Sequence, residues 1–135
     1  MRSKIKIISC AIALTAFVGY ASWSFAQEPW AVPDKNAKAA NPVKADATAT
    51  ATGKSLWSKH CQSCHGKTGM GDGSKAATLK TAPGDFTAAS FQKQSDGEIF
   101  YKTSEGRKDM PSFKKKIPDQ EEIWSIVNYI RTFKK

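Results

Sequence analysis

Two cysteines and a histidine lie within five residues of this chain, in a C-x-x-C-H string formed by Cys61, Cys64 and His65. Three possible uses of such a string stay open, although the rest of the sequence gives each of them little support. A disulfide between the two cysteines would close a loop too short to stabilise a fold much. A thioredoxin-like redox pair belongs to a βαβ unit, which the sequence lacks. A zinc site would crowd four ligands into residues 60–65, with no second ligand pair elsewhere.

The same string has the spacing that attaches a haem covalently. Two thiols three positions apart can form thioethers with the two vinyl groups of a haem, and the histidine that follows can bring a ring nitrogen to the iron. The sequence therefore predicts one haem c bound through Cys61 and Cys64, with His65 as an iron ligand.

Residues 1–26 have the organisation of an export signal. Three basic residues precede an apolar run from Ile7 to Val18, and Ser24-Phe25-Ala26 satisfies the small-x-small rule for cleavage. Residues 7–26 carry no charge and are long enough to remain as an uncleaved membrane anchor instead. Both interpretations predict a periplasmic or otherwise extracytoplasmic protein, with membrane association through residues 7–26 in the second.

Removal of this segment changes the charge and cysteine counts. The 135-residue chain has 21 Lys and Arg against 12 Asp and Glu, a net charge of +9, and three cysteines. Residues 27–135 keep 18 Lys and Arg against 12 Asp and Glu, which is a net charge of +6. Their two cysteines are Cys61 and Cys64. Because this charge is modest and export removes the target, we expect no nucleic acid partner.

Residues 27–52 have the composition of a linker. Pro29, Pro33 and Pro42 interrupt helices, and an Ala/Thr repeat over residues 45–52 lacks large apolar side chains. Alternatively, residues 30–43 could lie along the domain surface, because a Trp side chain in a linker often packs against a folded domain. Residues 53–135 remain as the folded domain.

The pattern within residues 53–135 is helical. A first helix is expected over Gly53–Cys64, and a second begins at Ser95 or Asp96 and ends at Gly106. No segment alternates as a strand should, so the predicted fold class is all-α. Three or four short helices form only a small hydrophobic core. We therefore expect something besides the protein chain to be buried among them.

The last helix has the clearest pattern. It is expected to begin at Asp119, with Glu122 completing a variant of the capping box. Its apolar residues recur with helical spacing and predict one buried face. They are Ile123, Ile126, Val127, Ile130 and Phe133.

Over residues 53–135 the chain resembles a class I, single-haem c-type cytochrome. The spacing of Gly53, Trp57 and Cys61 is similar to that of the family's N-terminal helix. Tyr129, one turn after Ile126, matches the aromatic residue of its C-terminal helix. The resemblance implies a small all-α cytochrome c-like fold of three to four short helices around one covalently bound haem.

The resemblance also implies a second iron ligand and a partner for His65. Met110, followed by Pro111, is similar to the Met-Pro pair of the family's ligand loop, whereas Met70 lies only five residues after His65 and is poorly placed to cross the haem plane. Pro83 matches the proline whose carbonyl accepts a hydrogen bond from the ligand histidine. His65 and Met110 are thus the expected iron ligands.

Iron with six ligands favours electron transfer, so the resemblance implies a one-electron carrier between redox proteins and not an enzyme. Lysines around the expected haem edge predict a partner with an acidic docking face. Two alternatives are open: a tethered or fixed subunit of a membrane respiratory or dehydrogenase complex, and a haem enzyme or gas sensor in which Met110 is displaced. The lysines are Lys108, Lys114, Lys115 and Lys116, with Lys59 and Lys67 beside the attachment site.

Overall fold

The structure, a computed structural model, describes residues 29–135. Within them the chain has helices and no β-strand, so the predicted all-α class is confirmed. The helices are α1 (Asp34–Ala37), α2 (Ala47–His60), α3 (Gln62–His65), α4 (Ala89–Gln92), α5 (Asp96–Glu105) and α6 (Gln120–Arg131), with a 3-10 turn at Ala76–Thr78.

The predicted signal or anchor, residues 1–26, lies outside the described residues. Within residues 29–135, no helix has the length and apolar character needed to cross a membrane.

Helix α2 begins six residues before the predicted start at Gly53. Asp46 is its N-cap, and the Asp46 carboxylate accepts a hydrogen bond of 2.9 Å from the backbone N–H of Ala49. Ala49 is itself buried against the rest of the domain. The end of the predicted linker is therefore helical, because alanines favour helix and a carboxylate caps the first turn.

Residues 29–43, here called the N-terminal strap, lie along the domain as the alternative interpretation of this segment predicted. The Asn41 side chain donates to the Asn128 side-chain oxygen at 2.8 Å, and Asn128 donates to the Val43 carbonyl at 3.1 Å. Nearer the start of the strap, the Ser95 hydroxyl donates to the Ala37 carbonyl at 2.5 Å. The strap is thus fixed to both α5 and α6.

Helices α2 and α6 cross at Gly53. A Cβ atom at this position would overlap the backbone carbonyl of Ser125 and lie 2.9 Å from the Tyr129 Cβ. One turn later the Trp57 ring, which is almost fully buried, packs edge-on against Tyr129 and Phe133, with centroids 6.1 and 5.1 Å away. Gly53 and Trp57, which resemble residues of the family's N-terminal helix, therefore contact Tyr129, which matches the aromatic residue of its C-terminal helix.

Local signals predicted the starts of both α5 and α6, but the capping partner only at α5. Ser95 and Glu98 form the reciprocal capping box of α5, which ends at Gly106 as predicted. At α6, the Asp119 carboxylate accepts a hydrogen bond of 2.9 Å from the backbone N–H of Glu121. The predicted capping box between Asp119 and Glu122 is therefore wrong.

Helix α6 is buried on more than its predicted face. Trp124 and Asn128 are also buried, because the Phe100 ring stacks on Trp124 at 4.0 Å and the strap covers Asn128. Phe133, at the end of the predicted face, is only half-buried.

Replacement of Gly53 by alanine tests the helix crossing. In an open helix this change stabilises by about 1 kcal/mol. Here the added methyl group must displace the α6 backbone, so we expect a loss of about 1–3 kcal/mol in the free energy of unfolding, measured by guanidinium titration of the haem-loaded protein. Ser55→Ala, on an exposed part of α2, should change it by less than about 0.5 kcal/mol. Equal stability of Gly53→Ala and the parent would contradict the close crossing.

Candidate functional site

Helix α3 and its N-cap residue, Cys61, place Cys61, Cys64 and His65 on one turn. The backbone N–H groups of Cys64 and His65 both donate to the Cys61 carbonyl, at 3.1 and 2.9 Å. Residues spaced at i, i+3 and i+4 share one face of a helical turn, so both thiols and the imidazole can reach the same group.

The turn after His65 is held by Trp57. The buried indole nitrogen of Trp57 donates to the Gly66 carbonyl at 3.0 Å. The His65 carbonyl accepts from the N–H of Gly71 at 2.9 Å, which folds the glycine-rich loop back on the helix. Gly66 adopts a φ of +81°, in the left-handed region that favours glycine. The Phe86 ring then covers the imidazole, with centroids 4.6 Å apart.

The His65 imidazole is buried and uncharged at neutral pH. Burial lowers its pKa to about 4, and the Pro83 backbone opposes this shift in pKa less strongly. His65 Nδ1 is buried and makes no hydrogen bond of standard geometry to any residue in 29–135, so its contact with Pro83 is a loose one. A neutral imidazole leaves one ring nitrogen free to bind a metal.

Met110 lies in a tight loop fixed to the end of α5. Arg107 and Met110 exchange backbone hydrogen bonds of 2.8 and 3.0 Å, and Lys108 between them has a φ of +54°. The loop returns to α5 because the Ser104 carbonyl accepts from both the Phe113 N–H, at 3.1 Å, and the Ser112 hydroxyl, at 2.7 Å. The position of the Met110 backbone is therefore set by α5.

A second contact joins the Met110 loop to the segment that contains Pro83. The Asp109 carboxylate accepts from the backbone N–H of Thr81 at 3.0 Å, across 28 residues. This bond holds the loop beside the segment that faces His65.

Two adjoining cavities, of about 150 and 320 Å³ and here together called the site cavity, lie between these elements. All five residues that the sequence assigned to the site line it, with Cys64 in the smaller cavity only. Met70 is 49% exposed and lines neither cavity. The residues common to both cavities are Trp30, Cys61, His65, Pro83, Arg107 and Met110.

The larger cavity is apolar except at one end. Lys102 and Arg107 lie there together with Gln94, and no carboxylate is among the described residues that line the cavity. Partial burial is the main cause that lowers the pKa of Lys102; the charge of Glu98 opposes this shift, and the nearby Arg107 charge adds to it. The local field therefore favours an anionic group at this end.

Trp30, Lys102 and Arg107 are site residues that the sequence did not identify. The presence of a Trp in a proline-rich segment was a signal for Trp30, whereas Lys102 and Arg107 are indistinguishable from the chain's other basic residues. Only their placement around the site cavity distinguishes them.

The arrangement of the thiols bears on the alternative uses of the string. Cys61 and Cys64 are not joined by a disulfide. Burial, followed by the neighbouring Cys64, raises the pKa of the Cys61 thiol to about 12, so this group is not a thiolate at neutral pH. No group of three or more His, Cys, Asp or Glu side chains in residues 29–135 is arranged to hold a metal ion. None of these observations favours a redox pair or a zinc site.

The family model described as cytochrome c oxidase, cbb3-type, subunit III, matches residues 48–130, more than half of the chain. The chain is a monohaem c-type cytochrome of this family. A comparison with curated proteins found no match to this cytochrome.

Two solved structures are similar to this cytochrome. A chain of the reducing HAO-like protein complex of Kuenenia stuttgartiensis has 26% identity and a TM-score of 0.64, over 70% of this chain and 47% of that one. The KustC0563 c-type cytochrome has 34% identity and a TM-score of 0.55, over 62% of this chain and 98% of that one. The cytochrome thus spans about half the length of the first relative.

The site fits the cofactor of the family. A thiol pair on one helical turn, a buried neutral imidazole, and an apolar cavity with a cationic end match a haem with two vinyl groups, an iron and two carboxylates. The cofactor is haem c, held covalently through Cys61 and Cys64. A c-type cytochrome domain that carries this cofactor is suited to electron transfer.

Proposed function

We propose that this cytochrome is an exported single-haem carrier that transfers one electron at a time, with His65 and Met110 as its iron ligands. The observation that carries the proposal is that both side chains line both parts of the site cavity from different elements. His65 comes from the turn after α2, and Met110 comes from the loop after α5. With both ligand positions occupied, substrates and gases have no open site on the iron.

His65 is suited to bind from the attachment side. Its low pKa keeps the ring neutral, so no proton has to leave before a nitrogen binds iron. A hydrogen bond from Nδ1 to the Pro83 carbonyl would fix the tautomer and present Nε2 to the metal. The loose contact between His65 and Pro83 is expected to become a regular hydrogen bond when Nε2 is bound.

The remaining residues of the site would set how readily the cytochrome accepts an electron. When bound, haem supplies an iron that alternates between Fe(II) and Fe(III). The Met110 thioether favours Fe(II) relative to a second imidazole. The apolar lining disfavours the additional charge of Fe(III), and Lys102 would pair with a haem carboxylate at the cationic end.

Four exposed lysines, Lys108, Lys114, Lys115 and Lys116, form what we call the lysine face. Lys108 lines the smaller cavity, and the other three follow the Met110 loop in the chain. Lys114 pairs with Glu105, which reduces its part in the field. We propose that this face steers the cytochrome toward an acidic surface on its redox partner.

A second candidate function is a fixed or tethered subunit of a redox complex. The matching family model is described as an oxidase subunit, and one similar structure is a chain of an HAO-like protein complex. In this case the cytochrome would pass electrons within one assembly, and residues 7–26 would remain as its anchor.

Replacement of Met110 by leucine tests the iron ligands. We expect the oxidised protein to lose its methionine-to-iron charge-transfer absorption and the reduced protein to bind carbon monoxide, because leucine fills the space without a sulfur ligand. The control is Met70→Leu, which changes an exposed methionine and should leave both spectra unchanged. Retention of the absorption band in Met110→Leu would contradict the assignment, and carbon monoxide binding by the parent would favour the gas sensor or enzyme.

Charge reversal at Lys115 and Lys116 tests the lysine face. We expect the double replacement by glutamate to lower the second-order rate constant of electron transfer to the partner in the producing cells' membrane fraction by about tenfold at low salt. This difference should shrink as salt screens the charges. Lys54→Glu, on an exposed position of α2 that lines neither cavity, is the control. A rate constant that does not depend on ionic strength would contradict the proposed steering.

Cell fractionation with intact mass measurement separates the two candidate functions. For a carrier we expect a soluble exported protein whose mass equals residues 27–135 plus one haem, because cleavage after Ala26 removes the apolar segment. A full-length haem-containing protein that sediments with membranes would instead support the tethered subunit. A mass without haem in the exported protein would contradict both candidates.

A further inference from the structure

Trp30, on the N-terminal strap, lines both parts of the site cavity. Its neighbour Pro29 lines the larger part. The strap precedes the segment matched by the cytochrome family model, which begins at residue 48. Part of the wall around the haem is therefore supplied by chain outside the matched domain.

Arg107 fastens Trp30 in this position. The guanidinium carbon of Arg107 lies 4.7 Å from the centroid of the Trp30 ring, a cation–π contact. The same guanidinium donates a hydrogen bond of 3.2 Å to the Pro29 carbonyl. Two contacts from one side chain thus fix both the ring and the backbone of the strap end.

The Arg107 contacts connect the strap directly to the Met110 loop. Arg107 and Met110 are joined by the paired backbone hydrogen bonds of that loop, so the residue that holds Trp30 also holds Met110. At its other end the strap is bonded to Ser95 and to Asn128. Movement of Trp30 away from the cavity would have to break the Arg107 contacts.

We propose that Trp30, held by Arg107, closes the haem cavity beside the Met110 loop and keeps water and small ligands away from the iron. The indole covers apolar surface that water would otherwise reach, and exclusion of water disfavours the extra charge of Fe(III). Trp30 therefore raises the reduction potential and slows the displacement of Met110 by external ligands. This inference rests on the His65–Met110 ligation proposed above.

Replacement of Trp30 by alanine tests this role. The two measurements are the reduction potential of the haem-loaded protein and the rate at which imidazole replaces Met110 in the oxidised form. We expect the potential to fall and the imidazole rate to rise about five- to tenfold, because the closed arrangement loses its cation–π contact and its apolar cover.

Three further variants separate closure from general stability. Trp30→Phe keeps an apolar ring and should restore most of the parent potential and imidazole rate. Arg107→Lys keeps the charge but loses the planar group that holds Trp30, so it should raise the imidazole rate with a smaller change in potential. Val32→Ala changes a half-buried strap residue that lines neither cavity and should resemble the parent in both measurements.

The outcomes distinguish this inference from the ligation on which it rests. If the parent shows the methionine-to-iron band but Trp30→Ala has the parent potential and imidazole rate, closure by Trp30 is wrong and the ligation stands. Absence of the band in the parent contradicts the ligation itself. If Trp30→Ala does not fold, Arg107→Lys decides: a faster imidazole rate supports closure, and an unchanged rate overturns it.

Discussion

The close crossing of α2 and α6 at Gly53 is the contact on which the haem site depends. Because no side chain separates the helices there, Trp57 can pack its ring against Tyr129 and Phe133. The Trp57 indole nitrogen then holds the Gly66 carbonyl at 3.0 Å, directly after His65. The position of the attachment turn is thus set by the packing of two helices that are distant in the sequence. A wider crossing would shift the Trp57 ring and, with it, the imidazole of His65.

The cofactor completes a core that the chain alone leaves open. Trp57, Ile99, Ile126 and Ile130 belong to the buried core and also line the larger cavity, of about 320 Å³. The same apolar surface that would stabilise the fold around haem also excludes water from the iron. Stability and reduction potential are therefore coupled, because one set of side chains contributes to both.

Local rules made part of the fold predictable. The capping box of Ser95 and Glu98 involves neighbouring residues, and the apolar spacing of α6 follows from one helical period, so both could be identified from the sequence. The start of α2 could not, because an Ala/Thr repeat has the composition of a linker. What makes it helical is the Asp46 cap and the burial of Ala49, and that burial depends on the rest of the domain.

The sequence by itself determined the attachment chemistry, because a C-x-x-C-H string places two thiols and an imidazole on one helical turn. It also indicated Met110 and Pro83, although only through resemblance to a known family. The tertiary structure alone decided that Trp30 and Arg107 line the site cavity. The Arg107 side chain bonds to a residue 78 positions away, and no spacing or period in the sequence encodes such a contact. Their meeting depends on the strap packing against α5 and α6, which follows from the whole fold.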